Sequence, residues 1–187
     1  ETCRQWEVAG ASHVDVPFEI EYGKVGRLRD GLSLDGVIPR EAGCDLPAYS
    51  TVPFRDVMDA AFNHLVTWVK EDIAPPIGEP LQISRMMPEI EFARDEYGNV
   101  LGGIRLAEHA VPTATNTGMN TGANRFCFLY GSHEPFNEQT LQSLYSDHAD
   151  YLEKVTNVVN KNLQDGFILP IAAIRTLREA RQSQIGR

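Results

Sequence analysis

With 187 residues the chain is long enough for one domain with a sizeable core, and 42% hydrophobic against 23% charged residues is a globular balance. A formal net charge of -9 argues against a nucleic-acid surface, which would need clustered Lys and Arg. No stretch approaches the roughly 20 apolar residues of a membrane helix, so a soluble chain with no membrane partner is expected.

The chain starts at Glu1, and Glu1–Cys3 does not resemble a signal peptide; a mature or trimmed N-terminus fits. Arg4–Ala9 alternates and carries Trp and Val, which predicts a strand ending at Gly10. From Pro17 to Tyr49, glycines and prolines recur too closely for a long element, so an extended surface loop is expected there. Phe54–Glu71 is the clearest helix, with Val57, Ala61, Leu65 and Trp68 or Val69 at three- and four-residue steps. Pro53 suits its first turn, and Pro75-Pro76 blocks its continuation. Residues 89–106 read as a hairpin turning at Asp95–Asn99, with Gly102-Gly103 marking a close backbone approach.

Val111–Thr121 is rich in Thr, Asn and Gly and reads as a loop, followed by a short apolar run, Phe126–Tyr130. Ser146 opens a second strong helix with Tyr151, Val155, Val158 or Val159, and Leu163 on its buried stripe and Gly166 just past its end. A third helix is expected from about Ile171 to Gln182. Arg175, Arg178 and Arg181 fall at helical spacing and, with Arg187, read as a solvated face. Neither an internal repeat nor a linker divides residues 1–187, so they form a single segment.

Three cysteines stand far apart, and without a CxxC pair they do not spell a zinc or redox site. Two states remain open. Cys44 and Cys127 pair in an oxidising compartment, with Cys3 free or bound to another polypeptide, or all three stay reduced.

Of five histidines, His64, His109, His133 and His148 read as satisfied or solvated side chains: His64 within the first helix at a partly buried or boundary position, His109 in a loop, His133 in a turn, His148 in a first helical turn. No HxH, HxxxH or HExxH spacing offers two of them to one metal, so neither metal nor cofactor is called for. His13 differs, because a strand, a Gly-containing turn and then His is how a triad base is presented. Gly10-Ala11-Ser12-His13-Val14 begins like a GxSxG elbow, but Val14 takes the place of the second glycine, which argues against Ser12 as nucleophile.

The order of segments brings a family into view. WEVAGASHVD at 6–15 comes first, then PFRDVMDAAFNHLVTWV and its Pro-Pro stop. RDEYGNVLGGIRL with AVPTAT, CFLYGSHEPF, LYSDHADYLEKV and DGFILP follow. Together they cover nearly the whole chain, which resembles the C-terminal portion of the large proteins of the α/β hydrolase domain family. The family turn is similar to AG-x-A-H-A-D, from which Ser12 and Val14 depart.

The resemblance implies an α/β fold: the C-terminal part of a hydrolase, with the last sheet strand, flanking helices and a hairpin, completed by a separate or missing N-terminal part. It implies that His13 is the triad base, with Asp15 in the accompanying His-x-Asp. Serine and acid come earlier in such chains. The expected function is thus the His-bearing part of a serine hydrolase acting on small carboxylic esters. Its partner would be a companion polypeptide or N-terminal portion carrying a GxSxG nucleophile, in a heterodimer-like arrangement. The alternative is a non-catalytic binding or subunit-interface protein. A self-contained enzyme pairing Ser12 or Cys3 with His13 has the least support. Residues 17–49 and 109–125 are expected to line the pocket, and a Cys44–Cys127 bridge would imply a secreted or periplasmic protein.

Overall fold

Caps and prolines set the helix boundaries. The computed structural model describes residues 2–33 and 43–187. Helix α1, Val16–Arg29, starts at Asp15, whose carboxylate accepts the Phe18 N–H at 2.7 Å, with Pro17 in its first turn. This corrects the expected loop over 17–49. Gly23 and Gly26 weigh against a helix by about 1 kcal/mol each relative to Ala. The Asp15 cap, Glu19 in the first turn and Arg27 and Arg29 in the last oppose that penalty. None of its residues is buried. Residues 34–42 of the expected loop lie outside the described residues.

Helix α2, Phe54–Glu71, has the bounds the periodicity predicts, and closes on Asp72 in the left-handed region (φ 58°) ahead of Pro75-Pro76. Only Asp56, Val57 and Ala60 near its start are buried; Leu65, Val66 and Val69 further along stand exposed.

Strands β1, Ile83–Arg85, and β2, Glu91–Phe92, pair antiparallel. The expected hairpin over 89–106 is therefore half right. The turn is present, with the Asp95 N–H donating to Asn99 O at 2.9 Å and an Arg94–Val100 bridge, but β2 pairs with the chain before it. The reason lies at Gly102, which bridges Leu81 so closely that a Cβ there would sit 2.5 Å from the Pro80 carbonyl. That contact bears out the close approach read at Gly102-Gly103.

The short helix α3, Ala107–Ala110, leads to β3, Ala114–Thr117. After α4, Cys127–Tyr130, strand β4, Ser132–Pro135, pairs antiparallel with β3, Ala114 facing Pro135 and Thr117 facing Ser132. A strand thus replaces the loop expected over 111–121, and His133 sits in a strand instead of a turn. The sequence hides β3 because one of its two buried residues is Asn116, a polar side chain that stays in register by bonding inside the fold.

Helix α5, Glu138–Leu144, precedes α6, His148–Gln164, which Asp147 caps by accepting the Asp150 N–H at 2.8 Å. Val155 and Val159 of the predicted stripe are buried, and Gly166 (φ 81°) follows the helix end as expected. Helix α7, Pro170–Gln182, lies against α6 through the small residues Ala172, Ala173 and Ala180. Ile104, Leu106 and Val57 complete this core, each valine or leucine contributing on the order of 2 kcal/mol by leaving water. On α7 the arginine face is only partly solvated: Arg178 and Arg181 are exposed, whereas Arg175 pairs with the buried Asp56.

Arg4–Ala9 is extended but makes a single parallel bridge, Val8 to Ile104. The Ala9 N–H donates to Ile104 O at 3.0 Å and the Ile104 N–H to Glu7 O at 2.7 Å. This bridge is all the sheet pairing that the expected last strand makes among the described residues. Among the described residues the sheets are two small antiparallel pairs within a mainly helical α/β chain. Cys44 and Cys127 form a disulfide across 83 residues of sequence, and Cys3 is free and exposed. This decides between the two cysteine states the sequence leaves open.

Candidate active site

The turn that carries His13 is fixed by its backbone. After Val8 the chain reverses at Gly10 (φ 70°), where an added Cβ would lie 2.4 Å from Nδ1 of His109. The Gly10 carbonyl accepts the Ser50 hydroxyl at 2.6 Å. Beyond the histidine, the Val14 N–H donates to Leu129 O at 2.8 Å and the Val16 N–H to Ser50 O at 3.0 Å. His13 is exposed between these anchors. The turn is thus fixed by its backbone while the His13 ring stands open to solvent.

Its neighbours are engaged elsewhere. Ser12 is buried and its hydroxyl donates to the Val14 carbonyl at 3.0 Å, within the same turn. Asp15 is buried too, and its two carboxylate oxygens accept the Phe18 N–H and, at 2.9 Å, the Phe54 N–H. Burial pushes the Asp15 carboxyl up from its usual range, opposed mainly by those two backbone bonds. The His-x-Asp pair is adjacent in sequence, but here Asp15 joins α1 to α2. Cys3 lines a cavity of about 440 Å³ with Trp6, Leu65 and Trp68, and His13 is not part of that wall.

The other histidines divide. His64 bonds the Gly166 carbonyl at 2.9 Å and His148 the Ile185 carbonyl at 2.7 Å, both satisfied as expected. His109 departs from expectation: it lies in α3, fully buried, with Nε2 donating to Val100 O at 2.9 Å and Nδ1 unpartnered. Burial lowers its pKa, as it lowers that of His133, whose Nδ1 lies 3.1 Å from both Thr51 Oγ1 and Asn116 Oδ1. Among the described residues no group of three His, Cys, Asp or Glu side chains is placed to hold a metal ion.

Sequence reasoning misses Ser50, Asn116 and Glu108. An isolated serine or asparagine has no motif, and only contact order reveals its use. Glu108 faces a cavity of about 370 Å³ bounded by Glu21 of α1, Arg55 and Asp56 of α2, and Arg175 and Glu179 of α7. Burial pushes its carboxyl up to about 7, with Asp56 and Glu179 adding to the rise and Arg175 opposing it. Val16, Pro17, Ile20 and Glu21 line this cavity, but neither His13 nor any residue of 109–125 does, so it does not bear out the pocket expected from 17–49 and 109–125.

Gly10 gives a direct test of the turn. Gly10→Ala places a Cβ in the left-handed region and against the His109 ring, so a loss of about 2 kcal/mol is expected in urea unfolding. An unchanged midpoint would mean that the turn is not built as described.

The family model described as alpha/beta hydrolase domain matches residues 1–178. The chain belongs to this family. Neither a curated protein nor a solved structure matches it significantly. Membership of the alpha/beta hydrolase domain family points to a hydrolase-type function, in keeping with the mixed helices and strands. Two further features stand beside it: the Cys44–Cys127 disulfide, and the absence among the described residues of any helix long and apolar enough to cross a membrane.

Proposed function

We propose that this chain carries the histidine of a serine hydrolase acting on carboxylic esters, and that the serine and the acid belong to sequence outside it. The observation that carries the reading is the contrast at one turn: His13 is exposed on an anchored backbone, while Ser12 and Asp15 are buried in local hydrogen bonds. A serine hydroxyl brought to His13 would lose its proton to the imidazole as it attacks the ester carbonyl. The imidazolium would return that proton to the leaving alkoxide, and water would repeat the sequence to release the acid. A carboxylate on the other ring nitrogen would hold the tautomer. Neither metal nor cofactor enters these steps.

The outer face of α2 supports the incompleteness. Phe62, Leu65, Val66 and Val69 are each at least half exposed, an apolar surface suited to the companion polypeptide or N-terminal portion that bears the GxSxG serine. The same face also favours the second reading, a non-catalytic subunit-interface protein. The disulfide fits a secreted or periplasmic setting.

Purified active material separates the readings. Mass spectrometry of a preparation that hydrolyses an activated ester should find, beside residues 1–187, polypeptide containing a GxSxG segment. Full esterase activity from this chain alone would overturn the proposal, and material with no hydrolase activity would favour the interface protein.

A further inference from the structure

The backbone contacts around His13 come from two segments that are far apart in sequence and cross-linked to each other. One is 43–52, which supplies both bonds from Ser50: its hydroxyl to the Gly10 carbonyl, and its carbonyl accepting the Val16 N–H. The other is 120–133, which supplies the Leu129 carbonyl for the Val14 N–H. Gly131 of this second segment (φ 61°) abuts the turn so tightly that a Cβ there would meet that of Ser12 at 2.8 Å.

These two segments hold each other at several points. The Cys44–Cys127 disulfide joins them near one end. Asn120 then bonds both ways with Leu46, accepting its N–H at 3.2 Å and donating to its carbonyl at 3.0 Å, and also donates to the Gly131 carbonyl at 2.8 Å. The Asp45 N–H donates to Thr121 O at 2.7 Å. Finally the Ser50 N–H donates to Tyr130 O at 2.9 Å, beside the residues that grip the turn. Ser50 is fully buried, and its hydroxyl also accepts the Val52 N–H at 3.2 Å, so its oxygen position is fixed.

We propose that Ser50 is a positioning residue for His13, and that the Cys44–Cys127 disulfide sets the register of the clamp through which it acts. The inference rests on the reading of His13 as the catalytic base. Ser50 touches no reacting atom; it fixes the carbonyl three residues before His13 and the amide three residues after it. The disulfide confines 43–52 to 120–133, so the serine and the Leu129 carbonyl reach the turn from fixed sides. An imidazole displaced by about 1 Å from a serine hydroxyl loses on the order of 10- to 100-fold in rate. Because the imidazole serves acylation and deacylation alike, the clamp should slow both steps and appear in kcat more than in KM.

The test uses the assembled active enzyme and three changes: Ser50→Ala, Cys44→Ser with Cys127→Ser, and all three substitutions together. Each single change should lower kcat for an activated ester by about 10-fold with KM within about twofold. The combined variant should lose little more than the worse of the two, because both act through one clamp. Ser50→Thr, which keeps the hydroxyl, should recover most of the Ser50→Ala loss. In parallel, the His13 Cε1–H signal of ¹³C-histidine-labelled protein should be single in the parent and split or broadened in Ser50→Ala, with the urea midpoint showing the variant still folded. Multiplicative losses in kcat, a change confined to KM, or an unaltered His13 signal would each overturn the positioning role. If the parent itself lacks esterase activity the catalytic reading fails, and the histidine signal alone then decides whether Ser50 positions the ring.

Discussion

His13→Ala is expected to lower kcat for an activated ester by about 10³-fold or more, with KM nearly unchanged and the urea midpoint within about 0.5 kcal/mol of the parent. The stability half of that expectation follows from burial. The ring is exposed, and the turn is held by the backbone of Gly10, Val14 and Val16 rather than by the imidazole. Truncating it leaves no buried polar group unpaired. The rate half follows from chemistry: without a base, a serine hydroxyl at neutral pH is a poor nucleophile, and the ester's alkoxide must leave unprotonated. Ser12→Ala gives the control. Among the described residues its hydroxyl serves only the Val14 carbonyl, so kcat should fall by no more than a few-fold. A large loss in Ser12→Ala with an active His13→Ala enzyme would reverse the two roles.

Glu108→Gln should stabilise the protein above neutral pH, by on the order of 1–3 kcal/mol because the side chain is only half-buried at a cavity wall, and leave it unchanged below pH 4. In the folded chain burial raises the Glu108 carboxyl from its usual 4.5 to about 7. Between those two values the folded state holds a proton that the unfolded chain has released. Stability therefore falls as pH rises through that window, and the loss is complete above about 7. His109 and His133 work in the opposite sense, since burial lowers both and their contribution fades as pH falls below their usual 6.5. Asp15 and Asp56 are raised like Glu108 and remain in the variant. Subtracting the variant's urea-derived stability from the parent's at each pH cancels the His109, His133 and Asp15 terms and leaves Glu108 together with its coupling to Asp56. The difference should open between about pH 4.5 and 7; a difference that is flat across this range would place the Glu108 carboxyl in solvent.

What the sequence discloses follows from which forces are local. Helices α2, α6 and α7 are legible because an apolar stripe of period 3.6, a proline and a cap all lie within one segment. Cys44 and Cys127 are legible only as one of two open states, paired or reduced, because their spacing carries no geometry. Helix α1 is hidden by Gly23 and Gly26, since none of its side chains is buried to supply a stripe. Strand β3 is hidden because Asn116 occupies a core position that its hydrogen bonds, to residues 51 and 108, make affordable. The hairpin at 95–99 is visible in its turn residues, but the choice of partner for Glu91–Phe92 rests on Gly102 meeting Leu81, a contact that no local pattern encodes.

The candidate site divides in the same way. His13 is visible because strand, turn and histidine are consecutive. Asp15 looks like its companion from spacing, whereas its carboxylate closes the start of α1 and reaches across to Phe54. Ser50 holds the turn from 40 residues away, and nothing around it in sequence announces that task.

On the proposed division of the site, this chain supplies the base and another segment the nucleophile. Labelling the active preparation with a fluorophosphonate and sequencing the tagged peptide tests it most directly. A tag is expected on a GxSxG serine outside residues 1–187, lost when His13 is replaced by Ala. A tag on Ser12, or on any other serine within these residues, would contradict it.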